Sequence, residues 1–138
     1  MTGTRGQAPQ FLLDTHIWYW YLAGSDRLPV GLRKLIDSHS EGLWLSPISV
    51  WEVGMLNKHG RIRLQGGMHD WLADALERFP LREAPLNREV ALKSLEVELP
   101  HRDPADHFLA STALVYDLTL MTVDARLSSA RWLPTRSR

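Results

Sequence analysis

The chain has 138 residues, of which 44% are hydrophobic and 23% are charged, and its formal net charge at pH 7 is zero. This length and composition are typical of one globular domain with a substantial core. Because the whole molecule carries no net positive field, any contact with nucleic acid would need a local basic patch. The chain has no cysteine, which excludes disulfides, thiolate zinc sites and cysteine nucleophiles.

The N-terminal residues are polar and lack the apolar core of a signal peptide, so we expect residues 1–10 to form a flexible tail. The most apolar stretch, residues 11–24, is interrupted by Asp14 and His16. It is too short to span a bilayer. We therefore expect a cytoplasmic protein without a membrane segment.

Short apolar runs predict buried strands, and apolar spacings of three and four residues predict helices. Ser46-Pro47 and Asp103-Pro104 each place a capping side chain before a first-turn proline, and Thr15 is expected to cap the first helix. In chain order we predict a strand at 11–13, helices at about 15–23 and 29–41, a strand at 43–45, helices at about 47–58 and 68–79, a short strand within 80–86, helices at about 88–95 and 104–116, and a strand at 118–123. Strands separated by one or two helices predict a single α/β domain whose central parallel sheet has helices on both faces.

Five carboxylates lie where strands end or helices begin: Asp14, Glu52, Asp103, Asp106 and Asp124. In open α/β sheets the loops at the carboxyl ends of the strands converge on one crevice. Clustered carboxylates repel one another, and hard cations such as Mg²⁺ and Mn²⁺ prefer oxygen ligands. The pattern therefore predicts a Mg²⁺ or Mn²⁺ site, which is a suitable centre for phosphodiester hydrolysis.

Four segments carry a family resemblance, namely Leu12–His16, Ser46–Val53, His101–Ala110 and Leu120–Leu127. In order and spacing they resemble the PIN-domain ribonucleases, and among these the VapC-type toxins of bacterial type II toxin–antitoxin pairs. The likeness spans residues 11–133, which we expect to form the PIN domain. Residues 134–138 are then expected to be a C-terminal tail.

The resemblance implies a Mg²⁺- or Mn²⁺-dependent endoribonuclease toxin that hydrolyses RNA and leaves a 5′-phosphate and a 3′-hydroxyl. It also implies a homodimer and a cognate VapB-like antitoxin that blocks the site. The implied catalytic residues are Asp14, Glu52, Asp106 and Asp124. The implied metal ligands are Asp14, Asp106, Asp103 and Asp124, although Asp103 is equally explained as a helix cap.

Other residues have weaker roles by resemblance or by charge. Thr15 and Thr122 match hydroxyls that support the site, whereas His107 stands where this variant often has arginine. Four basic residues are candidate RNA contacts, although such groups are more often solvated surface; they are Lys58, Arg61, Arg63 and Arg126. The aromatic run 18–21 cannot face inward entirely, so it indicates either a wide core-facing helix or an interface.

Two rival functions remain at this point. A phosphatase with Asp14 as nucleophile expects a second aspartate two residues later, where this chain has His16. A catalytically silent PIN-like binding module would have lost some of the acids, all of which are retained here. The sequence does not decide between RNA and DNA as the substrate.

Overall fold

Five short parallel strands form the central sheet of the computed structural model, which describes residues 8–138. The strands are β1 (Phe11–Leu13), β2 (Leu43–Leu45), β3 (Arg82–Glu83), β4 (Thr119–Met121) and β5 (Thr135–Arg136). Their order across the sheet is β3-β2-β1-β4-β5, and every neighbouring pair is parallel.

Helices connect the strands and cover both faces of the sheet, as parallel strands require. They are α1 (Thr15–Ala23), α2 (Val30–Ser38), α3 (Pro47–Lys58), α4 (Gly67–Arg78), α5 (Arg88–Glu96), α6 (Pro104–Val115) and α7 (Ala125–Ser128), with a 3₁₀ turn at Ser40–Gly42. The predicted α/β fold is confirmed, and so are the caps at Ser46 and Asp103. Within residues 8–138, the helices are all too short or too polar to traverse a bilayer.

All three residues of the central strand β1 are apolar and buried. Phe11 and Leu13 pack with Trp18 in the core on one face of the sheet, whereas Leu12 packs with Leu109 in the core on the other face. The side chains alternate between two covered faces, so both kinds of position must be apolar. Each fully buried side chain of this size contributes roughly 1.5–3 kcal/mol.

The strand order reverses at β1, because β2 and β3 lie on one side of it and β4 and β5 on the other. A crevice opens at such a reversal, outside the carboxyl ends of the strands. The amide of Asp14 donates to the carbonyl of Met121 at 2.9 Å, which continues the pairing of β1 with β4 beyond the strands. The loops after β1 and β4 are therefore held side by side.

Three details differ from the sequence prediction. Thr15 is not the cap of α1, because the carboxylate of Asp14 takes that place and accepts from the Thr15 amide at 2.7 Å. Residues 134–138 are not a simple tail, since Thr135 pairs with Leu120 in β5. The short helix α7 was not predicted, because four residues are too few for an apolar period to show.

Two other sequence predictions have a partial outcome. Residues 1–7 of the predicted N-terminal tail lie outside the described residues. In the aromatic run, Trp18 is fully buried, while the three rings that follow it are partly buried against the same core. This arrangement favours the wide core-facing helix over an interface made by the whole run.

Candidate active site

One cleft of about 350 Å³ opens at the carboxyl ends of β1 and β4. Its lining includes all five of the acids predicted from the sequence to form a site. The members are Asp14, Glu52, Asp103, Asp106 and Asp124. They come from the ends of two strands, from the second turn of α3 and from the start of α6, so residues more than one hundred positions apart in the chain converge. The cleft is where the reversal of strand order places it.

Asp14 lies at the centre of a hydrogen-bond network at the end of β1. Its Oδ1 accepts from the Thr15 amide, and its Oδ2 accepts from the Thr122 hydroxyl at 2.6 Å. Thr122 is buried, and its oxygen in turn accepts from the Asp124 amide at 3.0 Å. The carboxylate orientation is therefore fixed by the strand end on each side, and Thr122 has the supporting place predicted for it.

Glu52 reaches the cleft from the second turn of α3. The helix is started by the Ser46 hydroxyl, which accepts from the Ile48 amide at 3.0 Å. The buried hydroxyl of Thr15 donates to the Glu52 carboxylate, and Ser49 Oγ lies 2.9 Å from the same hydroxyl. This contact joins α1 to α3 and gives Thr15 a supporting place, although not the capping one.

Asp106 is nearly fully buried in the first turn of α6 and has a partner that the sequence pattern did not assign. His101 Nε2 donates to Asp106 Oδ2 at 2.6 Å, and the two side chains are only 12% and 9% exposed. The loop before α6 brings them together. They are five positions apart in the chain, which is no recognisable spacing, so only the fold reveals the pair.

Asp103 caps the same helix, since its Oδ1 accepts from the Ala105 amide at 3.0 Å. Its place in the lining of the cleft leaves a second role as a ligand open. The nearby His107 donates from Nδ1 to the Asp103 carbonyl at 3.0 Å. That ring is not among the residues lining the acidic cleft, so it is not placed for the phosphate contact of the arginine often found there.

Asp124 caps α7 and forms an ion pair with Arg126. Its Oδ1 accepts from the Arg126 amide at 2.9 Å, and its Oδ2 lies 2.9 Å from the guanidinium. The same guanidinium is 3.7 Å from Asp106 Oδ2. Arg126 is thus an exposed cation beside two of the acids.

Burial and mutual repulsion make the cleft unfavourable for negative charge. Burial raises the pKa of Glu52 to about 7, and the neighbouring Asp14, Asp103 and Asp106 contribute to this shift. Burial is also the main cause of the raised pKa values of Asp14 and Asp106, although bonds from Thr122 and His101 oppose it. Asp124 differs, because its hydrogen bond with Arg126 lowers its pKa. Excess carboxylate charge of this kind is relieved by a bound cation.

The donor set fits a hard divalent cation in its chemistry, since it is made of carboxylate oxygens around one polar cleft. Among residues 8–138, however, no three acid or histidine side chains are already grouped as a metal-binding set. Two acids are engaged elsewhere, Asp106 with His101 and Asp124 with Arg126. A cation held by these acids would therefore have to share or replace these contacts.

The candidate RNA contacts separate into two groups. Arg126 lines the acidic cleft, and Arg61 lines a neighbouring groove. The linings of these two clefts do not include Lys58 or Arg63, although both are exposed. Sequence reasoning missed Arg27 at the rim of the acidic cleft, where its guanidinium lies 5.4 Å from the centre of the Trp20 ring.

Comparison with known proteins agrees with this geometry. The family model described as the PIN domain matches residues 11–133. The chain belongs to the PIN-domain family. It is 33% identical over 123 residues to Ribonuclease VapC22 of Mycobacterium tuberculosis, a match covering 87% of this chain and 91% of that protein.

Solved structures show the same fold at low sequence identity. A DNA-bound VapBC from Salmonella typhimurium has a TM-score of 0.70 and 16% identity, covering 94% of this chain and 98% of that one. A toxin–antitoxin complex from Klebsiella pneumoniae has a TM-score of 0.67 and 16% identity, covering 93% and 97%. These structures confirm the predicted fold, and the family model together with the 33% identity to Ribonuclease VapC22 confirms the VapC-type relationship.

Proposed function

We propose that this PIN-domain protein is a VapC-type toxin that hydrolyses RNA phosphodiester bonds with the help of Mg²⁺ or Mn²⁺. The single observation that carries the proposal is the convergence of Asp14, Glu52, Asp106 and Asp124 on one cleft in a chain of this family. Similarity to Ribonuclease VapC22 supports a nuclease activity. A bound cation would be held by Asp14 and Asp106 with Asp124 or Asp103, and would supply charge stabilisation and activation of water.

The protein's own residues prepare the attack of a water molecule on phosphorus. Glu52 lies in the cleft beside the proposed metal ligands, and its ionised carboxylate, which a bound cation would favour, is suited to take the proton of the attacking water. Thr15 fixes the Glu52 carboxylate, and Thr122 fixes that of Asp14. In the expected in-line reaction, the new P–O bond forms as the bond to the 3′ oxygen breaks. The 3′ oxygen takes up a proton, which leaves a 3′-hydroxyl and a 5′-phosphate.

The regulatory part of the proposal is a cognate VapB-like antitoxin that covers the acidic cleft. It is supported by structural neighbours that are VapBC and toxin–antitoxin complexes. A homodimer and a cytoplasmic location belong to the same proposal. The two rival functions have less support, because His16 replaces the second aspartate of a phosphatase and because the acids of a PIN site are all retained.

The test is cleavage of single-stranded RNA and of single-stranded DNA in chelator and after addition of Mg²⁺ or Mn²⁺. We expect RNA cleavage to vanish in EDTA and to return with either ion, and Asp14→Asn to abolish it while the protein stays folded. Asp117→Asn is a matched control, because Asp117 is exposed before β4 and its φ of 56° is tolerated by asparagine. Full activity in EDTA would end the metal proposal, and inactivity of the wild type with both ions would favour a silent module.

A further inference from the structure

A second concave surface adjoins the acidic cleft, and we call it the Trp51 groove. It has a volume of about 220 Å³ and lies between the start of α1 and the outer side of α3. Thr15, His16 and Glu52 belong to its lining, and His16 and Glu52 also line the acidic cleft. The two cavities therefore adjoin at His16 and Glu52, so a polynucleotide bound in one is next to the other.

The wall of this groove is apolar and aromatic. Trp51 is 57% exposed on α3, in contrast to Trp18, which is fully buried. Met55 and Leu56, one helical turn further along, complete the wall and are half-buried. The ring of Trp51 is thus presented to solvent beside a slot, which is the arrangement on which unpaired nucleobases stack.

The lining of the groove also includes a cation. Arg61 supplies it, and His59 lies nearby at the C-terminal end of α3, about two helical turns beyond Glu52. The turn that carries Arg61 is well ordered, because the Arg61 amide donates to the Leu56 carbonyl at 2.8 Å and Gly60 adopts a positive φ of 72°. The exposed guanidinium of Arg61 is thus carried on an ordered turn beside the groove, where a cation suits a phosphate of a polynucleotide.

We propose that the Trp51 groove binds an unpaired base of single-stranded RNA, stacked on Trp51, next to the phosphodiester held in the acidic cleft. The inference rests on the function proposed above, since it makes the groove a subsite for a neighbouring nucleotide of the same substrate. Glu52, Trp51 and Arg61 all line this groove, so an acid beside the cleavage site, an aromatic ring and a cation are available to one bound polynucleotide. A wholly apolar partner segment would leave the Arg61 guanidinium without a matching charge.

The test compares cleavage kinetics of wild type, Trp51→Ala and Trp51→Phe on a short single-stranded RNA pool of randomised sequence, with Mn²⁺ present. Because Trp51→Ala removes one stacking contact with a base, we expect it to raise KM roughly tenfold and to change kcat little. Trp51→Phe keeps an aromatic ring, so its KM should stay close to that of the wild type. Sequencing of the cut ends reports which bases are preferred beside the cleavage point. Trp51→Ala should reduce that preference. Trp132→Ala is the matched control, because Trp132 is 40% exposed on a different surface, beside Leu114.

The outcomes are distinguishable. If the wild type cleaves RNA and Trp51→Ala has unchanged KM and base preference, the groove assignment is wrong while the nuclease proposal stands. If alanine instead lowers the mass of the protein in solution or its affinity for a co-expressed antitoxin, with RNA kinetics intact, the groove is a protein interface and the assignment is overturned. If the wild type cleaves no RNA, both proposals fall together.

Discussion

Replacing Glu52 with glutamine should stabilise the metal-free protein at alkaline pH. The pKa of this carboxyl is raised from 4.5 to about 7 by burial and by the acids around it. The folded protein therefore holds the proton more tightly than the unfolded chain, so wild-type stability falls as the pH rises through this interval. Glutamine does not titrate and still accepts the hydrogen bond from Thr15, so the variant escapes that loss.

The magnitude follows from the shift. A change of this size corresponds to roughly 3 kcal/mol for a fully shielded group. Glu52 is partly exposed, so solvent screening reduces the expected gain to about 1–2 kcal/mol. In a domain of this length, such a gain raises Tm by roughly 3–8 °C.

The assay is urea and thermal unfolding of wild type and Glu52→Gln in EDTA, at about pH 8 and at about pH 4. The variant should be more stable at the higher pH and equal to wild type at the lower one, where both side chains are uncharged. Added Mn²⁺ should stabilise the wild type more than the variant. The reasoning would be refuted if Glu52→Gln were less stable than the wild type at about pH 8, or if the difference in stability were the same at both pH values. Either result would mean that burial and neighbouring acids do not disfavour the ionised Glu52 carboxylate.

Substitutions at two further positions, His101 and Asp103, separate metal binding from structural support in the cleft. His101→Leu removes the buried hydrogen-bond donor to Asp106, so Mn²⁺ affinity measured by calorimetry should fall about 10- to 100-fold. His101→Gln keeps a donor and should retain much of that affinity. Equal affinities in the wild type and both variants would contradict a positioning role for His101. Asp103→Ala should cost about 1 kcal/mol in urea unfolding through loss of the α6 cap, while Asp103→Asn should keep that stability. A loss of Mn²⁺ affinity in the asparagine variant would show that Asp103 is also a ligand.

The local signals in the sequence were sufficient to predict most of the fold. The run Phe11–Leu13 is apolar at every position because both sheet faces are covered, and this feature is visible without coordinates. Ser46 and Asp103 precede prolines and cap the helices that were expected. The strand β5 was missed, because two residues that owe their conformation to pairing with β4 carry no pattern of their own.

By itself, the sequence determined where the acids stand along the chain, since strand ends and helix starts are local features, and it determined the resemblance to the PIN family. Only the tertiary structure decided what those acids touch. The bond from Thr122 to Asp14 joins residues 108 positions apart, and the Thr15–Glu52 and His101–Asp106 contacts have no spacing that a sequence pattern reveals. The same packing places Trp51 and Arg61 beside the cleft. Contacts of this kind depend on how separate elements pack, because short-range propensity fixes each element but not its neighbours across the sheet.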